Sequence, residues 1–168
     1  RNGNLVSTAH GSEDAGGHVT TFAHDGYDRR IVATDAMGNV TTNNYDATGN
    51  RSNTAVVGEL IDVPGSSANV RLSQTAFSFD PMNRVTSQSA AFYNATNQAP
   101  IGDGFAITQT IYSDNSQVLA VINDNNHGTT NRYDTANRLS VVTDAKGNTV
   151  AYAYDSDSNV SGMLEAEK

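Results

Sequence analysis

A run of acidic and amide side chains near the end of the chain has the spacing of the first oxygen ligands of a calcium-binding loop. Asp155, Asp157 and Asn159 occupy the first, third and fifth positions of such a loop. The sixth position needs glycine and the twelfth needs a bidentate glutamate, but Val160 and Ala166 stand there. We therefore interpret the run as a turn and not as a metal site.

Other residue types that carry chemistry lack the partners that the chemistry requires. The histidines show no metal-ligand spacing such as HExxH, and the chain has no cysteine to complete a zinc or thiolate site. Serine and aspartate are abundant, yet the GxSxG pattern of a serine nucleophile is missing. The sequence therefore predicts no catalytic residue, no metal, no cofactor and no enzyme activity. The histidines are His10, His18, His24 and His127.

The charge balance restricts the class of partner. Eighteen acidic residues against ten basic ones give a formal net charge of −8, which disfavours nucleic acid and anionic membranes as general partners. No stretch approaches 18 apolar residues, so membrane insertion is not expected. With 37% hydrophobic and 17% charged residues, the composition is typical of a folded chain and not of a disordered one.

The elements that position these side chains repeat along the chain. Tyr133-Asp134 returns 21 residues later as Tyr154-Asp155. Asp134 favours a turn, residues 138–143 read as a strand, Asp144 favours a second turn, and residues 149–154 alternate as a second strand. One such hairpin cannot bury its apolar face, so copies must stack. We expect an all-β array of tandem long hairpins of about 21 residues that forms a curved sheet.

The fourth residue after each aromatic residue marks where a left-handed backbone is needed. Five of these seven positions hold Gly, Asn or Asp, the residues that most easily accept this conformation. Their spacings are 25, 21, 34, 33, 21 and 21 residues, which indicates about six units, two of them longer than the rest. The predicted left-handed residues are Gly3, Asp28, Gly49, Asn83, Ser116, Asn137 and Ser158.

This pattern resembles the RHS, or YD-repeat, family, whose units carry Tyr-Asp, two variable residues, Gly-Arg and a strand. Tyr112 is followed by serine instead of Asp, His24 replaces the aromatic phenyl ring, and Asn50 and Gln117 replace the usual Arg, so we expect altered edges there. The residues that define the repeat are His24, Asp25, Tyr45, Asp46, Gly49, Phe79, Asp80, Asn83, Arg84, Tyr112, Tyr133, Asp134, Asn137, Arg138, Tyr154 and Asp155.

A second turn signal recurs between the Tyr-Asp motifs and is predicted to form the opposite edge of the sheet. It is found at residues 14–17, 35–38 and 144–147, and residues 124–128 carry a version that is one residue longer. Two units have extended hairpins, at 51–78 and 85–111. One hypothesis is that they project roughly 20 Å beyond their neighbours as a flap on one edge, and the favoured alternative is that they are ordinary hairpins tolerated at a loop edge.

The tips of these extended hairpins are candidate contact sites for a partner. Pro64 and Gly65 suit the central positions of a type II turn, and a broad loop containing Pro100 and Gly102 is expected over residues 94–104. The repeat array is predicted to span residues 1–162. Residues 163–168 depart from the repeat and favour a helix or a disordered end.

The repeated aromatic residues allow two interpretations. They could be platforms on which neutral glycans stack, or an inner ladder with contacts from unit to unit, which their regular register favours. Because the first motif is incomplete and the last is unfinished, we expect an internal fragment of a longer chain. An isolated segment of this kind would be marginally stable or self-associating, because a sheet with unpaired edges invites association.

The resemblance implies a structural function. RHS proteins build a hollow shell around a C-terminal toxin or effector, so this chain would be a wall segment, and its partners would be the remainder of the shell and the enclosed domain. A secreted or cell-surface location follows from the same resemblance. The alternative is an adhesion module, similar to teneurin-type shells, that binds glycans or a cell-surface protein. A carbohydrate-active enzyme is the least favoured reading, because the sequence singles out no pair of carboxylates.

Overall fold

The computed structural model describes residues 3–10, 18–60 and 69–168, and these residues form β-strands and turns. The predicted all-β fold of tandem hairpins is confirmed. None of the described residues is helical, and so no helix in those ranges could cross a membrane. The strands are β1 (Ser7–His10), β2 (His18–His24), β3 (Arg30–Thr34), β4 (Val40–Tyr45), β5 (Arg51–Gly58), β6 (Val70–Phe79), β7 (Val85–Tyr93), β8 (Pro100–Tyr112), β9 (Val118–Asn123), β10 (Gly128–Tyr133), β11 (Leu139–Thr143), β12 (Thr149–Tyr154) and β13 (Val160–Ala166).

The chain divides into two compact units. The first comprises residues 1–83 and 89–106, and the second comprises residues 84–88 and 107–168. In the first unit, strands β1 to β6 pair antiparallel with their neighbours in chain order. In the second unit, the pairs run in the same way from β8 to β13. Each unit is therefore a meander in which every turn reverses the chain and starts the next hairpin.

The predicted left-handed positions are confirmed. All seven residues have positive φ angles, between 61° and 92°. Serine occupies two of them, at 116 and 158, although it favours this conformation less than glycine or asparagine does. The turn geometry therefore imposes the conformation on whichever residue stands there.

The second set of predicted turns, which lies between the Tyr-Asp motifs, is also present, and one of these turns differs from its prediction. Gly38 and Gly147 are left-handed and donate their N–H groups to the carbonyl oxygens of Asp35 and Asp144 at 3.0 Å. The longer turn predicted for residues 124–128 is wrong, because Asn123 takes the place of the aspartate one residue earlier and its turn has the ordinary length. The prediction for residues 14–17 lies outside the described residues.

The two extended hairpins contain the longest strands. Strands β5 to β8 have 8, 10, 9 and 13 residues, whereas the other strands have 4 to 7. In the first unit, β5 and β6 remain paired as far as Gly58 and Val70. The predicted tip residues Pro64 and Gly65 lie outside the described residues.

The broad loop predicted for residues 94–104 is wrong. The turn closes at Ala99, whose carbonyl oxygen accepts the N–H of Asn94 at 2.9 Å, and β8 begins at Pro100. A proline is tolerated as the first residue of a strand because no ladder hydrogen bond from its nitrogen is required there. Gly102 and Gly104, with φ angles of 64° and 88°, lie within the strand and not in a loop. The glycines therefore mark irregular strand backbone and not a chain reversal.

The helix or disorder expected for residues 163–168 is also wrong. Met163 and Leu164 belong to β13 and pair with Tyr152 and Ala151 of β12. Hydrogen bonding along this strand pair overrides the helix propensity of the Leu-Glu-Ala sequence, which is a weak preference. Whether a domain boundary lies at residue 162 stays a prediction.

Burial is low in both units. Among the described residues only Asn43, Gly58, Gly104 and Ala120 are buried. Asn43 is 5% exposed, and its amide is satisfied because it donates to the carbonyl oxygen of Arg30 at 3.1 Å and accepts from the hydroxyl of Thr54 at 3.0 Å. These strands thus depend on ladder hydrogen bonds and contacts between neighbouring turns more than on an apolar core.

Gly58 is the position where a single added carbon should be most disruptive. A Cβ atom there would overlap the side chain of Asn39 and lie 2.8 Å from Cδ1 of Leu72. We expect Gly58→Ala to lower the free energy of unfolding by about 1–3 kcal/mol, as overpacked sites do. Gly162→Ala is the matched control, because its new Cβ would lie 3.7 Å from Ala153 Cβ in ordinary contact. Urea unfolding of both variants measures the difference, and equal stabilities would contradict the expectation.

Candidate functional site

Most turns of the Tyr-Asp type are built around one carboxylate. At Asp25, Oδ1 accepts the backbone N–H groups of Tyr27 at 2.9 Å and Arg29 at 3.0 Å, and Oδ2 accepts Nε of Arg29 at 2.8 Å. The backbone closes the turn, because Asp28 donates to the carbonyl of Asp25 and Asp25 donates to that of Arg29. A short side chain with two acceptor oxygens can therefore satisfy most of the polar groups that a chain reversal exposes.

The same turn tolerates other acceptors in the first position. Asn123 Oδ1 accepts the N–H groups of Asn125 at 3.1 Å and His127 at 3.0 Å. Ser113 Oγ accepts the N–H of Gln117 at 3.0 Å. The turn therefore requires an acceptor oxygen close to the backbone and does not require a charge.

The aromatic residue of each motif is the last residue of a strand and is half-buried. Where the pairing is described, the register shifts by one residue just before it, as at Tyr133 and Tyr154. The tyrosine hydroxyls of Tyr45, Tyr133 and Tyr154 then donate to a carbonyl oxygen 15 residues earlier in the chain, at 2.8–3.1 Å. The six aromatic positions are His24, Tyr45, Phe79, Tyr112, Tyr133 and Tyr154.

The arginine of one turn covers the tyrosine ring of the next. The Arg138 guanidinium carbon lies 4.5 Å from the centre of the Tyr154 ring, and Nη1 donates to the carbonyl oxygen of Asp155 and the hydroxyl of Ser158, both at 3.3 Å. Arg84 and Tyr112 repeat this contact at 4.6 Å. These contacts join an arginine to a tyrosine ring, so the inner ladder of stacked aromatic residues stays a prediction. Such cation–π contacts contribute about 0.5–1 kcal/mol at exposed sites and more where the cation is desolvated.

Asparagine and glutamine make the equivalent contact where arginine is missing. Asn50 Nδ2 donates to Asn83 Oδ1 at 2.7 Å, and Gln117 Nε2 donates to Asn137 Oδ1 at 3.2 Å. The altered edges expected at these positions are therefore wrong, because the link to the next turn is kept. Sequence reasoning missed this cross-turn role. The signal was available, since the residue after each left-handed position usually carries a side-chain N–H donor.

The turn aspartates are charged groups with lowered pKa values. The side-chain hydrogen bond from Arg29 lowers the pKa of Asp25, and that from Asn159 lowers the pKa of Asp155. For Asp134 the main cause of the lowered pKa is the hydrogen bond from the backbone N–H of Arg138. The turn geometry thus favours the ionised carboxylates.

The calcium-like run forms the turn that the sequence predicts. Asp155 Oδ1 accepts the N–H groups of Asp157 and Asn159, both at 2.9 Å, and Oδ2 accepts Asn159 Nδ2 at 3.0 Å. These oxygens therefore face their own turn. In the part of the chain that the structure describes, no group of three or more His, Asp or Glu side chains could hold a metal ion.

Comparisons with known proteins place one part of this array in a family. Residues 133–167, which contain the turns at Asp134, Asp144 and Asp155, match the model of the RHS Repeat. This part of the chain is an RHS repeat, and the resemblance inferred from the sequence is confirmed there. A comparison with curated proteins found no match.

A comparison with solved structures also found matches of low sequence identity. TcdB2-TccC3 with Cdc42 is 16% identical with a TM-score of 0.46, over 93% of this chain and 9% of that chain. TcdB2-TccC3 without its hypervariable C-terminal region is 17% identical with a TM-score of 0.46, and the match covers 93% of this chain and 9% of that chain. A Tc holotoxin pore structure of Photorhabdus luminescens is 14% identical with a TM-score of 0.39, and the match covers 98% of this chain and 10% of that chain. The present chain thus spans about a tenth of the length of these proteins.

Acid should weaken the array. A carboxylate with a lowered pKa stabilises the folded state above its ordinary pKa of 3.8 and loses that contribution as the pH falls below this value towards the lowered one. We expect the Tm to fall between about pH 5 and pH 2. In Asp144→Asn, the amide oxygen can replace Oδ1 as Asn123 does, so the Tm difference from the native chain should shrink on acidification. An unchanged Tm difference at pH 7 and pH 2 would contradict the role of the charge.

Removing one cross-turn arginine should destabilise two successive turns. Arg138→Ala eliminates the ion pair with Asp134 at 2.8 Å, the Tyr154 ring contact and the hydrogen bonds to the following turn. We expect the Tm to fall by roughly 3–5 °C. Arg132→Ala, on an exposed position of β10, is the control and should change the Tm little. Equal shifts for both variants in a thermal melt would show that position 138 has no special role.

Proposed function

We propose that this chain is a wall segment of an RHS, or YD-repeat, shell that encloses and shields a C-terminal toxin or effector. The observation that carries the proposal is that similar contacts link successive Tyr-Asp turns while only four of the described residues are buried. A sheet of this kind grows by the addition of hairpins at its edge. It is suited to forming a thin wall instead of a compact core.

The partners follow from the RHS resemblance. They are the remainder of the same shell and an enclosed C-terminal domain of the same polypeptide. The protein is secreted or lies at the surface of a bacterial cell under this proposal. Because the chain has no cysteine, it has no disulfides there and its folded state relies on hydrogen bonds between strands. The segment itself is not an enzyme under this proposal.

The pKa shifts of the turn aspartates support a wall segment over a carbohydrate-active enzyme. A glycosidase needs one carboxylic acid with a raised pKa to protonate the leaving group. The pKa shifts of the turn aspartates go the other way, because hydrogen bonds favour their ionised forms, as at Asp35 and Asp144. These carboxylates are suited to holding turns and not to donating protons.

An adhesion or glycan-binding module is the second candidate. It is favoured by the side chain of Tyr27, which is 81% exposed although the aromatic residues that define the repeat are half-buried. An exposed aromatic ring on an acidic chain suits a neutral partner better than an anionic one.

The wall proposal is tested on the native polypeptide. Peptides mapped upstream of Arg1 and downstream of Lys168 in source material should show further repeats and a C-terminal domain without the repeat. In the intact protein that domain should resist proteinase K at a concentration that digests the same domain produced alone. A native chain of only these 168 residues, or equal digestion in both forms, would overturn the proposal.

A further inference from the structure

Two aspartate–glycine pairs occur in the chain, and their surroundings differ. Asp25-Gly26 opens a turn, whereas Asp103-Gly104 lies in β8, and both pairs belong to the first unit. In such a pair the backbone nitrogen of the glycine can attack the side-chain Cγ of the aspartate, because glycine has no Cβ atom to hinder the approach. The two pairs therefore expose the same reacting groups to two environments.

Both carboxylate oxygens of Asp25 are held by hydrogen bonds. Oδ1 accepts the N–H groups of Tyr27 and Arg29 at 2.9 Å and 3.0 Å, and Oδ2 is bound by Nε and Nη2 of Arg29 at 2.8 Å and 2.7 Å. The side-chain hydrogen bond from Arg29 also lowers the pKa of this carboxyl group. An ionised carboxylate resists the attack, because the departing oxygen must carry a proton to leave as water. Arg29 therefore protects Asp25.

Asp103 has the first of these contacts without the others. Its Oδ1 accepts the N–H of Phe105 at 3.1 Å, as that of Asp25 accepts the N–H of Tyr27. Within the part of the chain that the structure describes, no donor or cation contacts Oδ2 of Asp103. The bond to Phe105 folds the carboxyl group back along the peptide bond to Gly104, which brings Cγ to the side of the attacking nitrogen.

The backbone around Asp103 is irregular and open to water. Gly102 and Gly104 have φ angles of 64° and 88°, and the ladder between β8 and β9 starts only at Thr108. Glycines on both sides give this stretch the conformational freedom that closing a ring requires. Because the side chain of Asp103 is exposed, water can reach the ring once it has formed.

We propose that Asp103 is a site of spontaneous isomerisation to isoaspartate through a cyclic succinimide. The nitrogen of Gly104 bonds to Cγ while the Cγ–OH bond breaks, and the hydroxyl leaves with the amide proton as water. A second water then opens the ring at the former backbone carbonyl, so that the main chain continues through Cβ and Cγ. One water is lost and one is gained, and nothing is oxidised or reduced. This modification goes beyond the wall function and does not depend on it.

The product lengthens the main chain by one methylene group beside a buried residue. Gly104 is buried, and a Cβ atom added there would lie 3.1 Å from Cβ of Pro100. Since the space around this backbone is filled, an extra main-chain atom must displace its neighbours. We expect the modification to loosen the first residues of β8.

The test follows both aspartates in one molecule. The 168-residue chain is kept folded, and in parallel unfolded in urea, at mildly acidic pH in water labelled with heavy oxygen. Each passage through the succinimide leaves one heavy oxygen in a carboxyl group, which peptide mass spectrometry detects. A protease that cleaves before aspartate and not before isoaspartate measures the isomer. Asp25, which is also followed by glycine, is the internal control.

Two variants separate the contributions of the ring and of the arginine. Asp103→Glu keeps a carboxyl group but needs a larger ring, so label and isomer should disappear from position 103. Arg29→Ala removes the partners of Oδ2, so labelling at Asp25 should rise while labelling at Asp103 stays unchanged. Circular dichroism and the Tm verify that each variant folds, and the comparison with urea remains decisive if one does not.

In the folded chain, isomerisation at Asp103 should be about tenfold or more faster than at Asp25, and in urea the two rates should become comparable. A folded chain in which Asp103 reacts no faster than Asp25 would overturn the proposal. So would a difference that persists in urea, since it would then arise from the neighbouring sequence and not from the structure. Labelling at Asp25 that stays low in folded Arg29→Ala would contradict the protective role of the arginine.

Discussion

The structure depends on one local interaction, in which a short acceptor side chain satisfies the backbone N–H groups of its own turn. That interaction forces the fourth residue of the turn into the left-handed region, where even serine is found. A chain reversal of this kind leaves backbone N–H groups without hydrogen-bond partners unless an acceptor is supplied. Because the same solution recurs after most of the described strands, the chain can continue as hairpins without a helix or crossover among the described residues.

A second consequence is that neighbouring turns become linked. The turn holds the residue after the left-handed position at a fixed angle, so that Arg138 reaches the ring and the carbonyl of the next turn. The tyrosine hydroxyl then reaches back to the strand that follows the previous turn, as Tyr154 does to Leu139 at 2.8 Å. The repeats at Tyr45 and Tyr133 are thus bonded in both directions along the sheet, which offsets the small amount of buried apolar surface.

Local rules explain what the sequence could predict. The left-handed residues and strand β12 follow from turn chemistry and period-two alternation, which involve neighbours in the chain. The partner of Arg138 lies 20 residues away, and no local rule predicts that distance. The errors have the same origin. Gly102 and Gly104 look like loop residues until strand pairing is known, and the segment after Met163 has helix-forming residues whose preference is weaker than a full ladder of hydrogen bonds with β12.

Among the described residues, the side-chain links between turns join neighbouring Tyr-Asp turns, and this gives the chain a particular mechanical behaviour. In the unit from β8 to β13, each strand is held by the strands beside it, with no bond that spans several hairpins. A force applied at one end would therefore detach one repeat before loading the next, and each step of about 21 residues would release roughly 70 Å of extended chain. Within this unit the chain would therefore unfold repeat by repeat instead of rupturing as a whole.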